Sequence, residues 1–400
     1  MNMQTTSLPD ARALAESGIN ALRNGDAITA RRLFEKIIAH GAADASAFLG
    51  LAYACRRLND ATATLAAVDS ALALEPQNIR ALIFKADHMT ANGGDRSAAA
   101  FYLAAVKASA SIEALPADLV SDIERARAMC ERVVTASESF LRDRLMQQAM
   151  LDDPSGELAS PRFEESLDLL FGHKQVFFQA PRYYFFPGLP HIQFYDRRDF
   201  PWLDAVETAT DDMRAELMEI MRQPDAFAPY VQANANRPHN PQAGMLNNPD
   251  WSAFYLWKDG KVVADNAARC PRTMAALANA PISRVGNRSP SILFSLLRAG
   301  AHIPPHNGLV NTRLICHLPL IVPGQCRFRV GNETREWVEG RAWCFDDTIE
   351  HEAWNDSDQT RVILLFEIWR PELTTREREL VDAMFEAIDA KSGVKPSWEI

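Results

Sequence analysis

The chain has 400 residues, enough for two or three domains at about 100–200 residues each. Hydrophobic residues make up 47% and charged residues 24%, the proportions of a globular protein, which excludes a disordered or fibrous chain. Lys and Arg number 42 against 52 Asp and Glu, and the net charge of −10 argues against nucleic acid or an anionic membrane surface as partner, since both need a basic footprint. Six cysteines without a CxxC pair make neither a disulfide scaffold nor a zinc ribbon. The first residues, MNMQTTSLPDARALAESG, lack a basic stretch followed by an apolar run, so no signal peptide is expected. No run of about 18 apolar residues is present, so no membrane span is expected. A reducing, cytoplasmic setting follows as the expectation.

Residues 10–113 are rich in Ala and Leu with helical periodicity. Tight turns at Asn24-Gly25-Asp26, Leu58-Asn59-Asp60 and Gly93-Gly94-Asp95 place aspartates 34 and then 35 residues apart. Small and apolar residues recur behind them: Ala30, Phe34 and Ile37; Thr64, Val68 and Ala71; Ala99, Leu103 and Val106. The third unit reads as carrying one extra residue at its glycine turn. This pattern resembles the tetratricopeptide repeat, a helix–turn–helix of period 34. The resemblance implies a concave surface for a peptide or protein partner, or a packing appendage. An antiparallel bundle with an accidental period is the competing arrangement. Residues 114–162 read as a connecting helix, with Leu119, Ile123, Met129, Val133 and Val134 at helical spacing, followed by a Pro/Gly/Ser linker at 151–162.

From 163 to 400 the texture changes. Aromatics and prolines concentrate, and 203–223 reads as one amphipathic helix. Short apolar runs at 292–298, 312–322, 326–330, 335–338, 341–346 and 361–369 alternate with turns. Such spacing predicts an antiparallel barrel or a double-sheet jelly roll.

Histidine placement is the sharpest signal. His302, His306, His317 and His351 fall within 50 residues, in or beside these runs, and Arg361 opens the last run ten residues after His351. Two histidines from distant segments with a basic residue about ten positions on outline a non-haem iron oxygenase. There, two imidazoles hold Fe(II) and leave positions open for a keto acid and dioxygen. The far carboxylate of a keto acid buried in a narrow barrel needs a charged partner, and an arginine supplies a planar bidentate one. Strand parity places Arg313, Ile315 and His317 on one face, and Leu293, Ser295 and Leu297 on one face.

Residues 285–375 resemble the aspartyl/asparaginyl β-hydroxylase family. The strings that carry this are FSLLRAGAHIPPHNG, NTRLICHLPLIVP, CRFRVGNETREWVEGRAWCFDDTIEHEAWN and RVILLFEIWRPEL, with NPDWSAFYLWKDGK, CPRT and FPGLP upstream. The resemblance implies a double-stranded β-helix, Fe(II) held by His306 and His351, and 2-oxoglutarate held by Ser295, His317 and Arg361, with O2 as co-substrate. It implies Arg313 and Trp251 near the substrate. Most such oxygenases carry a carboxylate two residues after the first histidine; here Gly308 stands there, which implies a water at the third facial position. Asp346 and Asp347 are the nearest acidic candidates for a substitute ligand, the alternative being hydrogen bonding at a strand end. A tolerated aspartate at Gly308 would show that the third facial position is open. Ile315 departs from the family pattern, where a second arginine is expected.

Together these readings predict helical repeats followed by a jelly-roll oxygenase that hydroxylates an unactivated C–H. The expected substrate is the β-carbon of Asp or Asn in a peptide, protein or amino acid. A hydroxylase of lipid acyl chains and a non-catalytic dicarboxylate sensor that binds partners through its repeats are the alternatives.

Overall fold

The computed structural model describes residues 11–152, 160–223, 225–232 and 244–392. The chain divides into two compact units between Phe171 and Gly172. Among the described residues, no helix is long and apolar enough to cross a membrane.

The first unit opens with three antiparallel helix pairs: α1 (Ala11–Arg23) with α2 (Ala27–Ala39), α3 (Ala45–Arg57) with α4 (Ala61–Leu74), and α5 (Ile79–Ala91) with α6 (Asp95–Ser109). The first helices begin at Ala11, Ala45 and Ile79 and the second at Ala27, Ala61 and Asp95, so both series repeat after 34 residues. Side-chain caps start most of them. Asp26, Asp44, Asp60 and Asn78 each accept a bond from the backbone N–H three residues on, which satisfies one of the orphan donors of a helix start.

The third unit corrects the expected register. Its cap position is Gly94, which has no side chain to accept a bond, and Asp95 is the first helical residue instead. Counted from Gly94, the residues equivalent to Ala30, Phe34 and Ile37 are Ala98, Tyr102 and Ala105, all buried. Leu103, expected in the core, is 45% exposed. The inserted residue is therefore only apparent: the aspartate has moved one place into the helix, where its charge still favours the N-terminal dipole.

Close approach of α1 and α3 depends on glycine. A Cβ at Gly50 would overlap the ring of Phe34, which wedges between the helices against Ala30, Ile37 and Ala47. Gly50→Ala is expected to destabilise the repeats by about 1–3 kcal/mol, the usual cost of overpacking a filled core. Urea unfolding followed by helical circular dichroism measures this; an unchanged midpoint would mean that Phe34 is not wedged there.

Helix α7 (Ala117–Asp152) lays Leu119, Ile123 and Met129 on Tyr102 and Ala105 of α6, while Val134 faces solvent. Helix α8 (Pro161–Phe171) spans the expected 162/163 boundary and meets α7 through ion pairs of Arg142 with Glu164 and Asp168. Residues 153–159 of the expected linker lie outside the described residues.

In the second unit the helix expected at 203–223 is two helices, α9 (Leu203–Thr208) and α10 (Thr210–Met221), which meet at Ala209. Among the described residues, eleven strands follow. They are β1 (Ala228–Pro229), β2 (Trp251–Lys258), β3 (Lys261–Val262), β4 (Ile292–Leu297), β5 (His302–His306), β6 (Arg313–Ile321), β7 (Cys326–Val330), β8 (Glu333–Glu336), β9 (Trp343–Phe345), β10 (His351–Asn355) and β11 (Arg361–Trp369). The larger sheet runs β1-β2-β4-β11-β6-β9, with β3 beside β2; the smaller runs β5-β10-β7-β8. From β4 onward successive strands thus cross between sheets, apart from the β7–β8 hairpin: β4, β6, β9 and β11 lie in one, β5, β7, β8 and β10 in the other. This interleaving is the jelly roll, with all pairings antiparallel.

Alternation sorts the larger sheet into two faces. Val362, Leu364, Phe366 and Ile368 of β11 join Leu314, Cys316 and Leu318 of β6 in a core capped by Leu203, Met213 and Leu217. Ile363 faces the other way and packs with Ile315, Phe328, Val330 and Ala353 between the two sheets. That inner space holds the cavity described next. Helix α11 (Thr375–Ser392) closes the unit, setting Val381 and Phe385 among Val285, Val310, Trp369 and Tyr184.

Candidate active site

His306 ends β5 and His351 begins β10. The two strands are adjacent and antiparallel, and the two histidines are direct register partners. Their ring centroids lie 4.1 Å apart. β5 is expected to be a poor strand, because Pro304 and Pro305 cannot donate to a ladder; its place at the edge of the smaller sheet makes both prolines tolerable.

Each imidazole is oriented by its own chain. Nδ1 of His306 donates to the carbonyl of Pro304 at 2.8 Å, and Nδ1 of His351 to the carbonyl of Ile349 at 3.0 Å. The Nε2 lone pair of both rings is thereby left for a ligand. Burial pushes the His306 imidazole down to about 4; burial and the neighbouring His306 hold His351 well below the ordinary histidine range. Both rings are neutral at pH 7, the form that binds metal. Among the described residues no cluster of three His, Cys, Asp or Glu side chains is placed to hold a metal ion. Two imidazoles with their Nε2 atoms free nevertheless suit a transition-metal ion that keeps open positions.

The expected 2-oxoglutarate residues line the same cavity, of about 300 Å³, as the histidine pair. Arg361 is 1% exposed, yet its Nε has no partner and its guanidinium stacks on Trp337 at 4.5 Å. Burial pushes its pKa down to about 10, so it is still charged at pH 7. His317 is buried among Phe328, Phe345 and Trp337, and its Nδ1 is also unpartnered. Ser295 accepts a bond from the indole N–H of Trp251 at 3.2 Å. Trp251 in turn stacks on Tyr230 at 4.2 Å and lies 5.9 Å from His306. A buried cation and a buried imidazole nitrogen, both without partners, leave two polar groups for an anion to satisfy.

Arg313 lines the cavity but is committed elsewhere. Its fork reaches Glu367 at 2.6 Å and Asp347 at 3.2 Å, all three side chains being buried. Glu367 also accepts from the hydroxyl of Ser289 at 2.5 Å. Glu367 escaped sequence reasoning, although parity along β11 puts it on the face of Arg361, Ile363 and Leu365.

The two candidate acids have different fates. Both oxygens of Asp346 are used: one by Gln179 and Arg370, the other by the backbone and hydroxyl of Thr348. This fully buried network fixes the turn that delivers His351. Asp347 is less satisfied. Its Oδ1 has no partner, and burial, opposed by Arg313, pushes its pKa up to about 7. It also fills the space beside Gly308, where any Cβ would overlap its carboxylate.

An aspartate at Gly308 would therefore collide with a carboxylate that already occupies that space, that of Asp347. Gly308→Asp is expected to lower stability by about 1–3 kcal/mol. Combined with Asp347→Ala it is expected to recover most of that loss. Thermal unfolding of the three variants decides the matter; equal midpoints for single and double variants would refute the steric coupling.

Residues 207–371 match the family model described as aspartyl/asparaginyl beta-hydroxylase. The chain is 39% identical over 136 residues to the aspartyl/asparaginyl beta-hydroxylase of Mus musculus, covering 34% of this chain and 18% of that one. It is 32% identical over 180 residues to the ornithine lipid ester-linked acyl 2-hydroxylase of Rhizobium tropici, covering 44% and 60%. It is 31% identical over 210 residues to the aspartate beta-hydroxylase domain-containing protein 2 of Homo sapiens, covering 52% and 55%. The chain thus spans between 18% and 60% of the length of these relatives. Among solved structures it is similar to PcrH from Pseudomonas aeruginosa, at 20% identity and a TM-score of 0.29, over 33% of this chain and 98% of that one. The region 207–371, which carries the paired histidines, the buried arginine and the interleaved sheets, is thus similar to the aspartyl/asparaginyl beta-hydroxylase family.

Proposed function

We propose that this chain is an Fe(II)- and 2-oxoglutarate-dependent hydroxylase. The observation that carries the proposal is the unpartnered guanidinium of Arg361, buried in the same cavity as two imidazoles whose Nε2 atoms are free. A buried charge without a partner costs several kcal/mol, which an anionic ligand offsets. When bound, the iron and 2-oxoglutarate supply the oxidising chemistry, in which dioxygen converts the keto acid to succinate and CO2 and a substrate C–H to C–OH.

Within this reading His306 and His351 hold the metal through Nε2. Arg361 takes the far carboxylate of 2-oxoglutarate as a bidentate partner, and the Ser295 hydroxyl and His317 sit beside it. Trp337, Phe328 and Phe345 keep water from that end of the cavity. Asp347, with its free Oδ1, is placed to hold a proton or a water on the Gly308 side. The substrate enters at the opposite side, between Tyr230, Met245 and Leu309. An aspartyl or asparaginyl side chain and an acyl chain are the two substrate types that the relatives' names carry.

The helical repeats are assigned to recruiting a protein or peptide partner. All six cysteines are free thiols, which suits a reducing cytoplasm.

The test is succinate release from Fe(II), 2-oxoglutarate and ascorbate without substrate, together with a screen of peptides, metabolites and lipids for a +16 mass shift. Tight binding of Fe(II) and 2-oxoglutarate without succinate in any condition would favour the sensor reading.

A further inference from the structure

The arginines of the cavity are not equivalent. Arg361 is buried and free. Arg313 is taken up by Glu367 and Asp347, so this corner carries no spare positive charge. Between Arg313 and His317 on the same strand face stands Ile315, and Val231, Met245, Leu309 and Leu365 complete an apolar wall. A carboxylate brought to this wall would lose its hydration and meet two acids that already share Arg313. An uncharged, apolar segment suits it.

The third arginine is Arg182, at the rim. Its backbone is held firmly: its N–H donates to the carbonyl of Gly308 at 3.0 Å, those of Tyr183 and Tyr184 to Leu309 at 2.9 and 3.1 Å, and that of Ala180 to Thr348 at 2.8 Å. The rim is thus stitched both to the loop after His306 and to the turn before His351. The guanidinium of Arg182, by contrast, is exposed, lines the cavity, and has no hydrogen-bond or ion-pair partner among the described residues. Here the fold orders a backbone and leaves its cation unspent at the mouth of the cavity.

We propose that Arg182 reads an anionic group, phosphate or carboxylate, on a substrate whose reacting segment is uncharged and apolar. A planar guanidinium suits either anion through paired N–H bonds. At an exposed mouth such a contact also steers the approach of the substrate, so it weakens with salt. The proposal rests on the hydroxylase reading and names the class of substrate for it.

The test uses the full chain with Mn(II) in place of iron and with 2-oxoglutarate bound, titrated calorimetrically with octyl phosphate, octanoate, octanol and an aspartate-containing peptide. Octyl phosphate or octanoate is expected to bind about tenfold or more tightly than octanol, with the gap narrowing at high salt. The ratio of octyl phosphate to octanoate identifies the preferred anion. Arg182→Ala is expected to erase the gap, Arg182→Lys to keep part of it, and both to leave the affinity for 2-oxoglutarate unchanged. Equal binding of octanol and the anions overturns the proposal. So does a weakened affinity of Arg182→Ala for 2-oxoglutarate, which assigns the residue to the cofactor, or tighter binding of the aspartate peptide than of the anionic chains. Failure of the wild-type protein to bind 2-oxoglutarate with Mn(II) removes the hydroxylase reading itself, and this inference with it.

Discussion

His306→Ala is expected to abolish both tight Fe(II) binding and turnover while leaving the jelly roll folded. In the proposed site two imidazole nitrogens among the described residues hold the metal, so losing one halves that donor set. The affinity loss is expected to exceed the roughly 10–100-fold that follows removal of an outer-shell partner. His306 lies on an edge strand and is only partly buried as a residue, so its truncation removes little packing. The measurement is a metal titration with Mn(II) or Fe(II) beside a thermal melt. A variant with wild-type metal affinity would put the ion elsewhere. A variant that fails to melt cooperatively would show that the imidazole holds the fold rather than a metal.

Arg361→Met is expected to raise the 2-oxoglutarate requirement strongly and to leave metal binding nearly intact. Removing one partner of a buried charge pair costs about 2–5 kcal/mol. At about 1.4 kcal/mol per tenfold, that is on the order of 30-fold to several thousandfold in affinity for the keto acid. The same variant gives a second, opposite signature. In the protein without 2-oxoglutarate, Arg361 is a desolvated cation offset only slightly, by the Cys326 thiol, and its pKa is held down to about 10. Methionine of similar length relieves that burden, so the unliganded variant is expected to melt at or above the wild-type temperature. Addition of 2-oxoglutarate should then stabilise the wild type and not the variant. A purely structural arginine would behave the other way, its loss lowering the unliganded melting temperature and leaving the response to 2-oxoglutarate unchanged.

Parts of the site were legible because they obey local rules. Strands β7 and β11 lie where short apolar runs between turns predict them, and alternation along β6 places Arg313, Ile315 and His317 together on the inner face. The strands that carry His306 and His351 were not legible as strands. β5 contains Pro304 and Pro305, and β10 reads HEAWN with a charged second residue. Neither has an intrinsic preference for extended pairing. Each is held by its neighbours, with β10 sandwiched between β5 and β7.

The repeats teach a related lesson. Spacing alone revealed a period near 34, but counting from aspartates misplaced the third unit by one residue. In that unit glycine, not aspartate, holds the cap position, and only the buried faces show it.

By itself, then, the amino-acid order determined whatever depends on near neighbours: helix starts from capping side chains, inner and outer faces from alternation, and the class of chemistry from histidines and an arginine at recognisable intervals. Tertiary structure decided the charge state of the cavity. Arg313 was a free cation on paper and became a committed one through Glu367, 54 residues away, and Asp347, 34 away. The space a side chain at Gly308 would need is taken by the carboxylate of Asp347, 39 residues on, which only packing brings there. Among the described residues no acid pairs with Arg361 or Arg182, for the same reason that two pair with Arg313. Coulombic pairing acts through space, and which acids reach which bases is settled only when distant segments pack.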